Sequence, residues 1–297
     1  TYRAFVNNFN SLINRLNPLY PVYILKADGG TLEINQSVDY PAQTMLSGPA
    51  ASVMGILSLV DCRNDAVALD IGGTTTDIAL FADGVPLLEP QGVTIGKYKT
   101  LVRGLRTLSI GVGGDSAVRC EKGTFIIGPE RKGPAAALGG PAPTPTDAMI
   151  VLDLTHIGDR RKAEKALACP AQESGLSLKD TARAIFDGTC HLIASAIASM
   201  IETVNNQPVY TIHELLEGKV LKPVVLYAVG GPAEAMTPRI AELTGCRPVI
   251  PPHAEVANAI GAALARTTTE LTVLADTEKN TLTVVEEGLQ IPISANF

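Results

Sequence analysis

The pattern of apolar and polar residues predicts that helices and strands alternate along this chain. Helical spacing of apolar residues occurs at 3–16, at 47–60 and, most regularly, at 178–204. Apolar runs of strand length occur at 66–71, 76–82, 85–89, 224–229 and 247–250. This mixture of elements predicts an α/β fold.

The order of these elements predicts how the strands are connected. The first three strands follow one another through connections of hairpin length, so we expect them to be antiparallel neighbours. Helices precede the last two strands, and we expect those strands to run parallel. The glycine-rich stretch from about 90 to 175 shows no helical period before Pro145. We interpret it as an insertion that leaves the sheet lobe, with short strands at 109–112 and 124–127.

The turn between the first two strands, DIGGTTTD at 70–77, carries the strongest candidate chemistry in the sequence. Gly72 and Gly73 allow a sharp bend and a close approach of a ligand to the backbone. The threonines that follow supply hydroxyl and amide donors that suit phosphate oxygens: Thr74, Thr75 and Thr76. Asp70 and Asp77 are the candidate catalytic carboxylates, and Asp70 is the candidate ligand of a hydrated Mg²⁺ ion. The alternative is an ordinary hairpin turn rich in small residues.

Two further glycine turns are candidate ligand contacts. The sequence GVGGDS at 111–116 repeats the order of donors, carboxylate and hydroxyl, which makes Gly113 and Gly114 candidate cofactor-binding residues. A plain surface loop is the alternative for this segment. Gly230 and Gly231 end an apolar strand and open a helix, and they complete the set of candidates.

Composition and charge narrow the class of function. The 297 residues suffice for about two domains, and 46% of them are hydrophobic. A net charge of −6 with scattered Lys and Arg argues against nucleic acid as a partner. The sequence has no apolar run of about 18 residues, so we expect no membrane span. Five dispersed cysteines without a CxxC pair indicate neither a zinc site nor a disulfide framework, and we expect a cytoplasmic protein.

Two parts of the chain share one order of features. A strand and a Gly-Gly pair at 23–30 precede a helix of small residues at 50–59, and a similar unit at 226–231 precedes one at 257–265. Such a repeat suggests a duplicated fold. A hairpin with a phosphate turn lies upstream of the second copy, at 66–88, whereas the first copy lacks one. We therefore expect the chain to be the later part of a larger protein.

The motifs and their order resemble the hydantoinase/oxoprolinase family, within the superfamily of actin, sugar kinases and Hsp70-type ATPases. The stretches that carry the resemblance are ADGG at 27–30, SGPAAS at 47–52, DIGGTTTD at 70–77, SIGVGGDS at 109–116, GP at 128–129, PTPTDA at 143–148, AVGGPA at 228–233 and AEVANAIGAA at 254–263. Each is weak alone, but together they are specific and cover most of the chain. The resemblance implies two ribonuclease-H-like lobes with ATP bound in the cleft between them.

The resemblance also implies roles and domain limits. DIGGTTTD would be the phosphate turn of the second lobe, and AVGGPA the Gly-Gly turn on the nucleoside side. Residues 1–60 would be the C-terminal part of the first lobe, 61–266 the second lobe, and 267–297 a hairpin and tail. Family members usually begin with another phosphate turn, so we expect this chain alone to bind ATP weakly and to need a preceding half or a second subunit. Val112 and Asp115 stand where relatives tend to have glycine.

Characterised members of the family cleave cyclic amides such as hydantoins and 5-oxoproline with ATP. The resemblance therefore implies an ATP- and Mg²⁺-dependent hydrolase whose substrate is a small cyclic amide. Whether the protein forms a homo-oligomer stays open. The first alternative is a subunit of an ATP-dependent ketone carboxylase. The second is a non-catalytic protein of the same superfamily that binds nucleotide as a switch. The sequence does not distinguish their substrates.

Overall fold

The structure is a computed structural model that describes residues 1–16, 21–89, 92–206, 220–269, 271–285 and 287–294. The helices are α1 (Tyr2–Leu16), α2 (Ser47–Leu59), α3 (Pro145–Val151), α4 (Arg160–Ser174), α5 (Leu178–Asn205), α6 (Ala233–Thr244) and α7 (Ala257–Leu264). The strands are β1 (Tyr23–Leu25), β2 (Thr31–Glu33), β3 (Ala66–Ile71), β4 (Thr76–Ala82), β5 (Val85–Pro86), β6 (Leu88–Glu89), β7 (Thr94–Ile95), β8 (Tyr98–Lys99), β9 (Gly104–Leu105), β10 (Thr107–Ile110), β11 (Val118–Glu121), β12 (Thr124–Ile127), β13 (Val225–Val229), β14 (Arg247–Val249), β15 (Val273–Asp276), β16 (Thr281–Val284) and β17 (Leu289–Pro292).

A mixed sheet forms the centre of the fold, in the order β10-β4-β3-β13-β14, with β5 paired to the far end of β4. β4 is antiparallel to β3, to β10 and to β5. β13 runs parallel to both β3 and β14. The pairing directions predicted from the connections are therefore confirmed, and the strands at 66–71 and 76–82 have the predicted bounds.

The strand that pairs along the second side of β4 lies later in the chain than predicted. The segment 85–89 pairs with β4 through β5, which ends at Pro86, and one further backbone hydrogen bond runs from Leu87 N to Leu80 O at 2.9 Å. β6 pairs instead with β9, and this pairing returns the chain to the sheet. β10 then pairs along β4 and becomes an edge strand. The prediction that 90–175 leaves the sheet lobe is therefore wrong for this strand.

Much of the remaining glycine-rich region also joins the core of the sheet lobe. The hairpin of β11 and β12 and the helices α3 and α4 bury apolar side chains in the same cluster as α5 and the sheet: Val118, Ile127, Met149, Ile150 and Leu167. A segment without helical period can still supply core residues from short strands and turns, which the sequence pattern underestimates. The domain limits at 60 and 266 stay predictions.

The two faces of the sheet carry different side chains because residues alternate along a strand. One face packs with α5 through large residues: Leu69, Ile71, Ile78 and Leu80. The other face packs with α2 through mostly small ones: Ala66, Ala68, Ala79 and Phe81. Because alanine is short, α2 lies close to this second face.

Helix α5 is long and apolar enough to cross a membrane, judged by length and composition alone. In this fold Ile185, Ile193 and Ile197 of that helix are at most 1% exposed and pack in the core with the sheet. A helix buried against a sheet can therefore be as apolar as a membrane-spanning helix. The expected absence of a membrane partner stays a prediction.

Helices α2 and α7 cross where two glycines bring their backbones together. A Cβ atom on Gly55 would lie 2.0 Å from the carbonyl oxygen of Ala257. A Cβ atom on Gly261 would lie 2.0 Å from the carbonyl oxygen of Ala51. No side chain fits at such distances, so the crossing requires glycine at both positions. The two helices of small residues in the internal repeat therefore pack on each other.

The terminal segments lie outside the sheet. Helix α1 buries Val6 and makes its main contact with the turn at 36–38, where Tyr2 Oη and Ser37 Oγ are 2.8 Å apart. From the sequence we expect the N-terminal segment, the helix at 3–16 and the strand at 22–27, to pack on the complete lobe or on a neighbouring copy. Leu25 of β1 is buried in the cluster between α2 and the sheet, as expected for the strand. The main contact of α1 within the chain is instead with 36–38, and packing on a neighbouring copy stays a prediction. At the other end, β15, β16 and β17 form an antiparallel sheet. The hairpin predicted at 270–286 is confirmed for its described residues, 271–285, and is extended by one strand.

Replacing Gly55 with alanine should lower the free energy of unfolding by roughly 2–3 kcal/mol, because the new methyl group would collide with backbone atoms that cannot rotate away. Gly48→Ala in the same helix is the matched control, since a Cβ atom there has no neighbour within 4 Å. It should be neutral or stabilising by up to about 1 kcal/mol. Urea unfolding of both variants is the measurement, and equal stabilities would contradict the close helix crossing.

Candidate functional site

Three strands place two aspartates and a serine in one row across the sheet. In the ladder between β3 and β4, Asp70 pairs directly with Asp77, and Asp77 pairs with Ser109 of β10. Directly paired residues point to the same face of a sheet. Here that face is the one covered by α2, because the neighbouring inward residues Ala68 and Ala79 pack there. The two carboxylates predicted as catalytic therefore lie side by side next to this helix.

Asp70 is held by a residue of α2. Ser52 Oγ donates a hydrogen bond of 2.5 Å to Asp70 Oδ2. Burial raises the pKa of Asp70, and the hydrogen bond from Ser52 opposes part of that rise. The surroundings therefore disfavour the charged form of this carboxylate. Within the described part of the chain, neither a lysine nor an arginine forms an ion pair with it.

Asp77 lies in similar surroundings. Burial raises the pKa of Asp77, a hydrogen bond with Ser109 lowers it, and the negative charge of Asp70 raises it further. A small cavity of about 10 Å³ lies between the sheet and α2, and both carboxylates line it. Two partly desolvated carboxylates that repel each other favour a divalent cation nearby.

The turn between the two aspartates leaves several donors free. One backbone hydrogen bond closes it, from Gly72 N to Thr75 O at 2.9 Å. The N–H groups of Gly73, Thr74 and Thr75 have no acceptor among the described residues. Gly73 and Thr75 are half-buried, and Thr74 is exposed. A run of free backbone N–H groups is a binding site for phosphate oxygens.

The second glycine turn, 111–116, packs against the first through backbone contacts. Gly114 N donates to Gly72 O at 2.9 Å, and Asp115 N donates to Gly73 O at 2.7 Å. A Cβ atom on Gly113 would lie 2.5 Å from Gly72 O, so a larger residue does not fit between the turns. The two motifs that looked alike in sequence therefore form one structural unit.

Three candidate cofactor-binding residues do not face open space. Thr76 is fully buried, and its hydroxyl donates to Val112 O at 2.8 Å. The amide of Gly113 donates to Ser116 Oγ at 2.9 Å, and the amide of Gly114 is used by the contact with Gly72. The hydrogen-bonding groups named here are used within the protein, and the expectation that these three residues bind a cofactor stays a prediction. Their role in this geometry is to hold the two turns together.

The Gly-Gly pair that follows β13 borders Asp70. The last residue of β13, Val229, pairs with Asp70 in the sheet. Gly230 has a φ of +96°, and a Cβ atom on it would lie 2.8 Å from Asp70 Oδ1. Gly231 is exposed, and a Cβ atom there would meet no atom within 4 Å. Gly230 is therefore packed against Asp70 and the carbonyl oxygen of Ile71, and Gly231 borders open space.

The residues at this site fit a hydrated magnesium ion with a phosphate group. The described residues contain no group of three His, Cys, Asp or Glu side chains that could hold a metal ion alone. Mg²⁺ does not require one, since it keeps several waters and takes only one or two carboxylates together with phosphate oxygens. Asp70 and Asp77 supply the carboxylates, and the free amides of 73–75 supply donors for phosphate.

Three residues of the site were missed by the candidate set. Ser52 lies in the SGPAAS motif, which carried the family resemblance but gave no role to the hydroxyl. Ser109 lies in the SIGVGGDS motif and is paired with Asp77. Arg131 donates to Asp115 Oδ2 at 2.8 Å, and no spacing in the sequence marked it.

Comparison with known proteins identifies a family. The sequence profile described as hydantoinase/oxoprolinase matches residues 1–271. The gamma subunit of acetophenone carboxylase from Aromatoleum aromaticum is 30% identical over 258 residues, which are 80% of this chain and 33% of that subunit. The 5-oxoprolinase of Saccharomyces cerevisiae is 30% identical over 157 residues, 50% of this chain and 12% of that enzyme. The chain thus spans a third or less of these relatives.

Solved structures show the same fold. Acetone carboxylase in its nucleotide-free state superposes with a TM-score of 0.74 at 20% identity, covering 91% of this chain and 39% of that one. An ATP-dependent caprolactamase from Pseudomonas jessenii gives a TM-score of 0.61 at 22% identity, covering 91% and 40%. The prediction of a ribonuclease-H-like, actin-like ATPase fold is confirmed.

The raised pKa values predict that Asp70 and Asp77 reduce the stability of the fold as pH rises. Both groups have folded-state pKa values above the ordinary 3.8, so the folded protein holds their protons more tightly than the unfolded chain. Their stabilising contribution is present below pH 3.8 and is lost as pH rises through the folded-state pKa. Asn resembles the protonated acid, so Asp70→Asn should show a smaller loss of unfolding free energy from about pH 4 to about pH 7.

Asp61→Asn is the control for this pH dependence. Asp61 is exposed, and its hydrogen bond with Arg63 lowers its pKa, so its contribution has the opposite sign. Urea unfolding at a series of pH values gives the three curves. An Asp70→Asn curve parallel to that of the unmodified chain would contradict the assignment of the raised pKa to Asp70.

Proposed function

Because the chain belongs to the hydantoinase/oxoprolinase family, we propose that it forms the nucleotide-binding part of an ATP-dependent enzyme that hydrolyses a cyclic amide. The observation that supports this most directly is the pair Asp70–Asp77 beside the free amides of 73–75. ATP supplies a phosphoryl group that activates the poorly electrophilic amide oxygen of the substrate. The chain contributes the residues that bind and orient the phosphates.

The residues around the turn have separate tasks in this proposal. Asp70 binds Mg²⁺ directly or through one of its waters, and Asp77 supplies a second carboxylate beside it. The amides of 73–75 hold phosphate oxygens. Gly230 and Gly231 border the nucleoside: Gly230 lets the backbone pass close to Asp70 and Ile71, and Gly231 leaves room for the ligand. Ser52 keeps Asp70 in one orientation through its hydrogen bond.

The burial of the two carboxylates supports a cation at this point of the sheet. Burial raises the pKa values of Asp70 and Asp77, and the charge of Asp70 raises that of Asp77 further, so the protein groups around them disfavour their charged forms. A divalent ion held by Asp70 and Asp77 would reverse this balance, because its charge would favour the ionised form of both carboxylates. The side-chain partners found for these carboxylates among the described residues are two hydroxyl groups, of Ser52 and Ser109.

The proposal extends to the protein around this chain. The chain spans 33% of the acetophenone carboxylase subunit and 12% of the yeast 5-oxoprolinase. We therefore propose that it works with another segment or a second subunit, which completes the ATP site and binds the cyclic amide. A cytoplasmic location, where ATP is abundant and thiols stay reduced, fits this function.

A subunit of an ATP-dependent ketone carboxylase is the second candidate. It is favoured by one observation, the match of 80% of this chain to a subunit of acetophenone carboxylase. The chemistry of the phosphate turn serves both candidates, since each reaction activates a carbonyl oxygen at the expense of ATP. The substrate site must therefore decide between them.

A substrate panel tests the two candidates. The intact protein, with any subunit it needs, is assayed for ADP release with hydantoin, 5-oxoproline and a simple lactam, and separately with acetone or acetophenone plus bicarbonate. We expect ADP release to depend on a cyclic amide and to yield the ring-opened amino acid. ADP release that depends on ketone and bicarbonate would replace the first candidate with the second.

Asp70→Asn should lower ATP turnover by about a hundredfold or more, the size of effect seen when one preorganised electrostatic group at a reacting centre is removed. Thermal stability should stay the same or rise slightly, because the substitution removes a carboxylate whose charge is disfavoured by burial. Asp61→Asn, at an exposed aspartate nine positions earlier in the sequence, should leave ATP turnover unchanged. Equal losses of turnover and stability in Asp70→Asn would assign Asp70 a structural role instead.

A further inference from the structure

A charged pair lies at the junction of the two glycine turns. Arg131 Nη2 and Asp115 Oδ2 are 2.8 Å apart. The side chain of Asp115 is 16% exposed and that of Arg131 is 42% exposed, so the pair reaches from the turn into solvent. Neither residue has a part in the function proposed above.

The carboxylate of Asp115 lies directly against the phosphate turn. A Cβ atom on Gly73 would lie 2.5 Å from Asp115 Oδ2, which is the same oxygen that accepts from Arg131. The amide of Asp115 is fixed as well, because it donates to Gly73 O at 2.7 Å. One carboxylate oxygen therefore separates the guanidinium group from Gly73, whose own amide is free for phosphate.

The loop that carries Arg131 is anchored on the second glycine turn. Ala117 N donates to Glu130 O at 2.8 Å, and Gly128 N donates to Ala117 O at 3.0 Å. The carboxylate of Glu130 pairs with Lys132 at 3.9 Å and with a second arginine, Arg119, at 3.8 Å. Arg131 is therefore the residue of this loop whose charge is directed to the phosphate turn.

Arg131 keeps most of its hydrogen-bonding capacity. A guanidinium group has five N–H donors, and in the described part of the chain Asp115 is the one acceptor found for Arg131. The planar arrangement of these donors matches two phosphate oxygens at once. The remaining donors are therefore available to an anion bound at the turn.

The negative charges around the turn favour a positively charged side chain such as Arg131. Asp70, Asp77 and Asp115 place three carboxylates beside a site for a polyanion. A divalent ion would be held by Asp70 and Asp77, whereas Asp115 lies on the other turn and is compensated by Arg131. Without that positive charge, the carboxylate of Asp115 would repel a phosphate at Gly73.

We propose that Arg131 binds the terminal phosphate of ATP at the turn 70–77, and that Asp115 is the positioning residue that holds its guanidinium group there. This inference rests on the proposed binding of ATP at the same turn. It gives the site a preference for the triphosphate over the diphosphate, since the diphosphate lacks the group that Arg131 contacts.

Calorimetric titration of the intact protein with Mg·ATP and with Mg·ADP tests this role. Arg131→Gln should weaken ATP binding about tenfold or more, the loss expected for one charge-assisted hydrogen bond, and ADP binding by less than about threefold. Lys132→Gln is the matched control, because its side chain is adjacent and 47% exposed but pairs with Glu130. It should leave the ratio of the two affinities unchanged. Arg131→Lys should recover part of the loss, since it keeps the charge but not the planar fork.

Asp115→Asn tests the positioning role separately. It should lower the preference for ATP over ADP by less than Arg131→Gln does, without changing the Mg²⁺ concentration required for binding. A higher Mg²⁺ requirement with an unchanged preference would make Asp115 a metal ligand and overturn the assignment. Equal effects of Arg131→Gln on ATP and ADP, or none, would overturn the role of Arg131 while ATP binding by the unmodified protein still stands. If the unmodified protein binds neither nucleotide, the proposed function itself fails.

Discussion

The hydrogen-bonded ladder between β3 and β4 is the constraint on which the candidate site depends. Its register pairs Asp70 with Asp77, and the period of two along each strand then turns both side chains to the face that α2 covers. A shift of the register by one residue would send one carboxylate into the apolar cluster with α5. The large residues on that other face, Leu69, Ile71, Ile78 and Leu80, exclude such a shift because they fill the core. The packing of one face therefore fixes the chemistry of the other.

Glycine serves two different purposes around this site. At Gly113 and Gly114 it allows two backbone segments to touch, and the amides of both residues are used inside the protein. At Gly231 it leaves open surface, since a Cβ atom there would meet no atom within 4 Å. Gly73 combines both cases, because Asp115 Oδ2 fills the place of a Cβ atom while the amide has no internal acceptor in the described residues. The sequence alone does not separate these cases, because a Gly-Gly pair has the same spacing whether a protein segment or a ligand lies against it.

Much of the central sheet could be predicted because its strands are continuous apolar runs. β3 and β4 have the bounds expected from those runs, and the short connection predicted their antiparallel pairing. β10 was not recognised as a sheet strand, since four residues between glycine-rich loops give too short a pattern. The burial of Thr76 could have been predicted from the sequence, because a strand residue next to Asp77 must point to the face of the sheet opposite to that of Asp77.

The contacts that sequence reasoning missed join segments that are distant or irregular. Ser52 reaches Asp70 from a helix 18 positions away, and the pattern of small residues in that helix predicts close packing but no particular hydroxyl contact. Arg131 reaches Asp115 between two loops, where neither a period of two nor one of 3.6 applies. Side-chain pairs of this kind follow from the path of the loops, and the path depends on backbone contacts such as those between the two glycine turns.

The crossing of α2 and α7 limits how helices can be exchanged between relatives of this protein. Ser52 and Gly55 lie within one turn of the same helix. The contact of Gly55 with the carbonyl oxygen of Ala257 therefore also affects the distance between the Ser52 hydroxyl group and Asp70. A chimera that takes α2 from one relative and α7 from another would change the distance between Ser52 and Asp70, although every residue of the phosphate turn would stay the same. The two helices are therefore one unit of exchange, although about 200 residues of sequence lie between them.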